Sequence, residues 1–106
     1  MTNKYYRLSA EKIFDDVIAS DCKHGKVEDV ELIIFPHVYP SHKFRTTSCV
    51  LKNSTELVKG ATVCDMGCGP GIVGLFAMKN GAIKVVQADI NPYAVENAKE
   101  NIKNQN

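Results

Sequence analysis

The feature that most restricts what this chain can fold into is the stretch VCDMGCGPGIVG, Val63 to Gly74. It holds four glycines and one acid in twelve residues. It joins a short apolar run, ATVCD, to a segment with helical spacing. A glycine-rich turn between a buried strand and a helix lets another group approach the backbone, because no Cβ stands in the way. The helix start adds oriented N–H groups. From Ala61 to Asp89 the chain reads as strand, helix, strand over about 30 residues. Units of that length build parallel sheets with helices on their faces, so the fold class is α/β.

The elements around the turn follow from spacing and caps. Gly71 to Lys79 reads as a helix, with Ile72, Leu75 and Phe76 on one face and Asn80-Gly81 as its stop. KVVQAD is a second strand. NPYAVENAKENIKN is a second helix, capped by Asn91, with Pro92 at its first position and Ala94, Val95, Ala98 and Ile102 facing inward. Upstream, SAEKIFDDVIAS reads as a helix capped by Ser9, with Ile13, Phe14, Val17 and Ile18 as its stripe. DCKHGK reads as a turn. VEDVELIIF reads as a strand or hairpin arm ended by Pro36. A further helix is expected from Thr46 or Thr47 to Leu57, with Val50, Leu51 and Leu57 as its apolar face.

Composition sets outer limits. With 106 residues, 44% of them hydrophobic and 24% charged, the chain supports one small domain. A net charge of +1 gives no electrostatic pull toward nucleic acid or an acidic membrane, without excluding an RNA substrate. Cys22, Cys49, Cys64 and Cys68 form no C-x-x-C pair and are expected to be free buried thiols. His24, His37 and His42 are scattered through expected turns, and no metal site is expected. The N-terminus lacks a signal-peptide core. No apolar run approaches about 18 residues. The expectation is a cytoplasmic protein without a membrane partner.

The glycines alone do not choose a ligand. GPGIVG, read from Gly69, fits the dinucleotide pattern G-x-G-x-x-G; DMGCGPG, read from Asp65, is an acid followed by G-x-G-x-G. The acids discriminate. A dinucleotide turn meets a pyrophosphate, and a carboxylate at the strand tip would repel it. Asp65 suits instead a ligand end bearing an ammonium group. S-adenosylmethionine has one, and a sulfonium besides. Asp89 ends the next strand, 18 residues after Gly71, where a carboxylate can accept hydrogen bonds from both ribose hydroxyls. Ile90 would lie against the adenine face. The plainer alternatives are that Asp65 caps the loop amides and that Asp89 forms the turn before Asn-Pro. Cys68 fits the loop as a small residue; methyl transfer from a sulfonium needs no enzyme thiol. Arg45, Thr46 and Thr47 either line the pocket or simply start a helix. His37 and His42 read as loop residues rather than bases, and Tyr39 as packing.

These residues resemble a known family. VCDMGCGPGIVGLFAMKNGAIKVVQADINPYAVENAKEN is similar to the front half of a class I S-adenosylmethionine-dependent methyltransferase, with DMGCGPG resembling its first motif and ADINPYAVENAKEN its second. The resemblance implies an incomplete Rossmann-like fold, the front half of a mostly parallel sheet with flanking helices. Residues 1–45 would lead into it, and residues 46–106 would form a cofactor-binding βαβα half. It implies that Asp65 lies near the methionine end of the cofactor, that Gly67, Cys68, Gly69 and Gly71 wrap it, and that Asp89 and Ile90 hold the adenosine. The product would be S-adenosylhomocysteine. NPYAVENAKEN is most similar to the branch that methylates ribosomal RNA bases, ribosomal proteins or release-factor glutamines, which implies a nitrogen acceptor on RNA or protein. VYPSHKFRTT resembles the segment before the first sheet strand in that branch, which implies that it borders the cofactor pocket.

The catalytic motif that this branch carries at the end of a later strand, often Asn-Pro-Pro-Tyr, does not occur here. INPY, Ile90 to Tyr93, follows the second strand and belongs to the ribose side. The chain is therefore expected to be a fragment, a truncated product or half of a split enzyme, inactive alone. Val63, Val85 and Val86 would need further neighbours, from self-association or a complementary C-terminal half. Two other readings stand beside this one: a non-catalytic partner subunit that keeps the fold, and a nicotinamide-dependent oxidoreductase based on GPGIVG.

Overall fold

The computed structural model describes residues 22–105; the helix expected over Ser9 to Ser20 lies outside them. Lys23–Val27 (β1) and Val30–Ile34 (β2) form an antiparallel hairpin, with Val27 paired to Val30 and Lys23 to Ile34. The turn is thus Glu28-Asp29, and DCKHGK supplies most of the first strand rather than a turn. Both turn residues have positive φ, 47° and 65°, the conformation a two-residue hairpin loop requires. Asn-Gly usually supplies it; here a glutamate and an aspartate are held there by contacts. Ser48 Oγ donates to Glu28 Oε1 at 2.6 Å, and Lys79 Nζ donates to the Asp29 carbonyl at 2.7 Å.

A 3₁₀ turn at Ser41–Lys43 leads into Arg45–Lys52 (α1) and Thr55–Val58 (α2). The single helix expected to Leu57 is broken at Asn53-Ser54. The break rotates the apolar face: Leu51 and Val58 are buried, whereas Val50 and Leu57 are exposed. Thr62–Met66 (β3), Ile72–Lys79 (α3) and Lys84–Ala88 (β4) form the parallel strand–helix–strand unit, in register Val63 to Val85 and Asp65 to Gln87. Pro92–Lys103 (α4) completes it, with Asn91 capping through its side chain.

Strand alternation divides the β3–β4 sheet into two unlike faces. Val63 and Val85 are half-buried against Val58, Ala77 and Ala82. Cys64, Met66 and Val86 are exposed on the other side. Of the three valines expected to lack neighbours, only Val86 lies on the open face. Cys22 and Cys49 are also exposed, so Cys68 alone among the four cysteines is buried.

The hairpin docks on the helices. Val27, Val30, Leu32 and Ile34 share one core with Val38, Leu51, Ile72, Leu75, Phe76 and Ala94. Its backbone is held by amides of α4. Asn101 accepts from Ile33 N at 2.7 Å and donates to the carbonyls of Ile33 and Pro70 at 2.8 and 2.7 Å. Asn97 accepts from Phe35 N and donates to Ile33 O, both at 2.7 Å. These side chains do for the free edge of β2 what a third strand would do. The inward face of α4 is therefore Ala94, Asn97, Ala98 and Asn101, and Ile102, expected inside, is exposed.

Replacing Asn101 by Leu leaves the part-buried Ile33 N and the buried Pro70 O without their partners. Urea unfolding is expected to show a loss of about 1–3 kcal/mol. Ile102→Ala is expected to stay within about 0.5 kcal/mol of the parent.

Candidate functional site

Both acids singled out in the sequence sit at strand ends. Asp65 is the fourth residue of β3, and Asp89 directly follows β4. The glycine loop between β3 and α3 passes beside them. Gly67 and Gly69 have φ of 77° and 53°, and a Cβ built at either would meet nothing within 4 Å. A side chain is excluded there by the left-handed backbone, and the space beside the loop stays open. Gly71 is different. Its φ is 93°, and a Cβ would come within 3.1 Å of Ala98 Cβ. Gly71 is buried beneath α4 and admits close helix packing.

The loop's own donors are already used. Gly67 N and Cys68 N both donate to Ala88 O, at 2.8 and 3.0 Å, and Gly71 N donates to Cys68 O at 3.0 Å. Gly69 N donates to Asp89 Oδ2 at 2.9 Å, while Asn91 N donates to Asp89 Oδ1 at 2.9 Å. A phosphate cradle depends on free, converging N–H groups. Here the loop spends them on a strand carbonyl and a carboxylate, and presents to a ligand a Cβ-free surface beside two acids. Asp89 thus performs the loop-capping and turn-forming roles together.

These residues border a cleft of about 290 Å3. Asp65, Gly67, Cys68, Gly69 and Asp89 line it with Tyr39, Ser41, Thr46, Thr47, Val50, Pro70, Ile72 and Val73. Tyr39 and Ser41 belong to VYPSHKFRTT, the stretch whose resemblance implies that it borders the cofactor pocket, and the path of the chain after β2 brings both to the wall. Thr46 and Thr47 line the cleft and Arg45 does not. Ile90 is fully exposed and lies outside the lining. His37 and His42 are not in the wall either. His42 packs over Gly25, and burial with the charges of Lys43 and Lys23 lowers its pKa. A larger hollow, about 660 Å3, lies between the hairpin and the end of α4. It gathers none of the residues around the glycine loop, so chemistry rather than size locates the site.

The electrostatics are one-sided. Burial, and then the charge of Asp89, raise the Asp65 pKa. Asp65 Oδ2 is buried without a hydrogen-bond partner. Burial and the two carboxylates also raise the Cys68 thiol, which keeps it a neutral, poor nucleophile. A cleft with two clustered acids and one unsatisfied carboxylate oxygen favours a ligand that carries positive charge and N–H donors.

A carboxyl whose folded pKa lies above its ordinary value of 3.8 binds protons more strongly in the folded state. Its stabilising effect is full at low pH and is lost as pH rises through the raised pKa. Asp65→Asn is therefore expected to flatten that fall and to raise the ligand-free Tm at pH 7. A lower Tm at pH 7 would show that the charged form of Asp65 supports the fold.

Comparison with known proteins gives the family. Residues 41–106, more than half the chain, match the model of the family described as ribosomal protein L11 methyltransferase (PrmA). A protein of Methanocaldococcus jannaschii, named as an N5-glutamine methyltransferase, is 40% identical over 81 residues, covering 76% of this chain and 40% of its own length. The ribosomal protein L11 methyltransferase of Phocaeicola vulgatus is 36% identical over 76 residues, covering 70% of this chain and 27% of its own. The crystal structure of the Pyrococcus abyssi tRNA (uracil-54, C5)-methyltransferase in complex with S-adenosyl-L-homocysteine superposes with a TM-score of 0.66. It is 26% identical to this chain, over 81% of this chain and 22% of that one. The chain thus spans well under half the length of each of these relatives. The oxidoreductase reading of GPGIVG falls with this match, and the chain belongs to the ribosomal protein L11 methyltransferase family.

Proposed function

We propose that the cleft binds S-adenosylmethionine, and that these residues form the cofactor-binding part of a methyltransferase acting on a nitrogen of protein or RNA. The observation that carries this reading is the pair of acids around the glycine loop, with one buried oxygen of Asp65 still lacking a donor. An ammonium group fits that oxygen in charge and in hydrogen-bonding capacity. Asp89 uses its two oxygens once each, on Gly69 N and Asn91 N. Each oxygen keeps a further lone pair, which suits ribose hydroxyls. Gly67 and Gly69 leave their backbone bare for the methionine arm. Ile90 stands outside the cleft lining but follows Asp89 directly, and its exposed side chain offers an apolar face to an adenine that extends past the cleft rim. The residues present therefore fit the cofactor.

Bound there, S-adenosylmethionine supplies a methyl group whose bond to sulfur breaks as a bond to the acceptor nitrogen forms, leaving S-adenosylhomocysteine. The chain's own part is positioning. Asp65 orients one end of the cofactor and Asp89 the other, while the loop between them fixes the distance. Cys68, neutral and buried, fills space. The relatives' names support the reading in part: one is named for glutamine N5, a nitrogen, and one for ribosomal protein L11. The tRNA enzyme is named for C5 of uracil, a carbon, and so supports RNA as a substrate class but not a nitrogen acceptor. The open face with Cys64, Met66 and Val86 supports the reading that further polypeptide, from a longer chain or a second copy, works with these residues.

Calorimetric titration with S-adenosylhomocysteine is expected to give saturable binding. Asp89→Ala should weaken it more than about tenfold, the loss of hydrogen bonds to a charged group. NAD should give no heat of binding. Binding of NAD, or no binding of S-adenosylhomocysteine by the folded chain, would overturn the reading.

A further inference from the structure

Between β2 and the 3₁₀ turn the chain crosses the molecule as a strap, Pro36–Pro40. Val38 is completely buried in the core, and Tyr39 stacks on Phe44, centroids 5.0 Å apart at 14°, while lining the cleft. Between strand and anchor stands His37, with φ of 65°. A residue with a Cβ takes that conformation only where its surroundings hold it. Two groups of α4 do so. Asn91 Nδ2 donates to His37 O at 2.8 Å, and the Tyr93 ring lies 5.3 Å from the imidazole.

Asn91 uses three groups for three tasks. Its Oδ1 caps α4 by accepting from Tyr93 N at 3.0 Å. Its N donates to Asp89 Oδ1 at 2.9 Å, and its amide reaches a carbonyl 54 residues away. A helix cap needs only the acceptor, and Ser, Thr or Asp supplies one equally well. The amide donor is left for the strap. Since the other oxygen of Asp89 holds Gly69 N, a continuous run of bonds joins the glycine loop, Asp89, Asn91 and the strap.

We infer that Asn91 is a positioning residue: by gripping His37 O, its side-chain amide sets the strap so that Tyr39 stands as a wall of the cofactor cleft. The inference rests on the reading of that cleft as an S-adenosylmethionine site. Asn91 is not itself in the cleft lining and acts on the wall through the strap and through Asp89.

Asn91→Ser separates the tasks, since serine keeps the capping oxygen and lacks the amide donor. Two measurements are made on the chain: calorimetric affinity for S-adenosylhomocysteine, and amide hydrogen exchange over Val38 to Ser41 and over α4. The expected result is an affinity loss of about tenfold, faster exchange in the strap, and unchanged exchange in α4 with an unchanged Tm. His37→Gly, which keeps the carbonyl and relieves the backbone, should retain parental affinity. Parental affinity and strap exchange in Asn91→Ser would overturn the inference, as would loosening of α4 to the same degree as the strap. If the parent chain itself does not bind S-adenosylhomocysteine, the cofactor reading fails. The strap exchange then decides the tether separately: faster exchange in the strap alone upholds it, and no change overturns it.

Discussion

The rest of this structure depends on two buried amides, Asn97 and Asn101, one turn apart on α4. They bond Ile33 and Phe35, backbone groups that face away from β1 and would otherwise be stranded. A two-stranded hairpin is marginal by itself. This one gains a third partner made of side chains, and buries Val30, Leu32 and Ile34 against α3 and α4 in the same act. Asn101 also bonds Pro70 O, inside the glycine loop. One side chain thereby fixes the hairpin and the loop to the same helix. Substituting apolar residues would add burial and lose that alignment, because several backbone groups would be left unpaired.

A second carboxylate-centred grip works at the other end of α4. Asp89 joins the loop amide of Gly69 to the helix start at Asn91. The strap, the glycine loop and α4 therefore meet at Asn91 and Asp89, beside the cleft. Nearby, Asp65 remains half-buried with an oxygen unpartnered. The fold thus tolerates an unsatisfied acid at this point while satisfying the loop amides around it. Such local conflict is characteristic of ligand sites rather than of structural cores.

The second half of the chain was legible because its signals are local. Helix spacing gave α3, Asn-Pro gave the start of α4, and alternating glycines gave a loop with left-handed residues. The first half was not legible for equally local reasons. Glu28-Asp29 lacks the glycine or asparagine that marks a two-residue hairpin turn, and KHGK is too polar to read as a strand. Asn53-Ser54 breaks a helix whose apolar spacing continued across it. The inward face of α4 was misread at Ile102 because asparagine has no hydrophobic signature, and its partners lie more than 60 residues away.

The sequence by itself determined the strand–loop–helix–strand unit, the two acids and the conformational need for glycine at Gly67 and Gly69, since each depends on neighbours in the chain. Tertiary structure decided the rest. It made Gly71 a packing contact under Ala98 and left Ile90 outside the cleft. It turned Asn91, Asn97 and Asn101 from helix residues into tethers. The physical reason is common to all of these. Each is set by which segments distant in the chain come to lie beside it, whether as packing neighbours or as backbone groups that need a partner, and that is decided only by the tertiary docking.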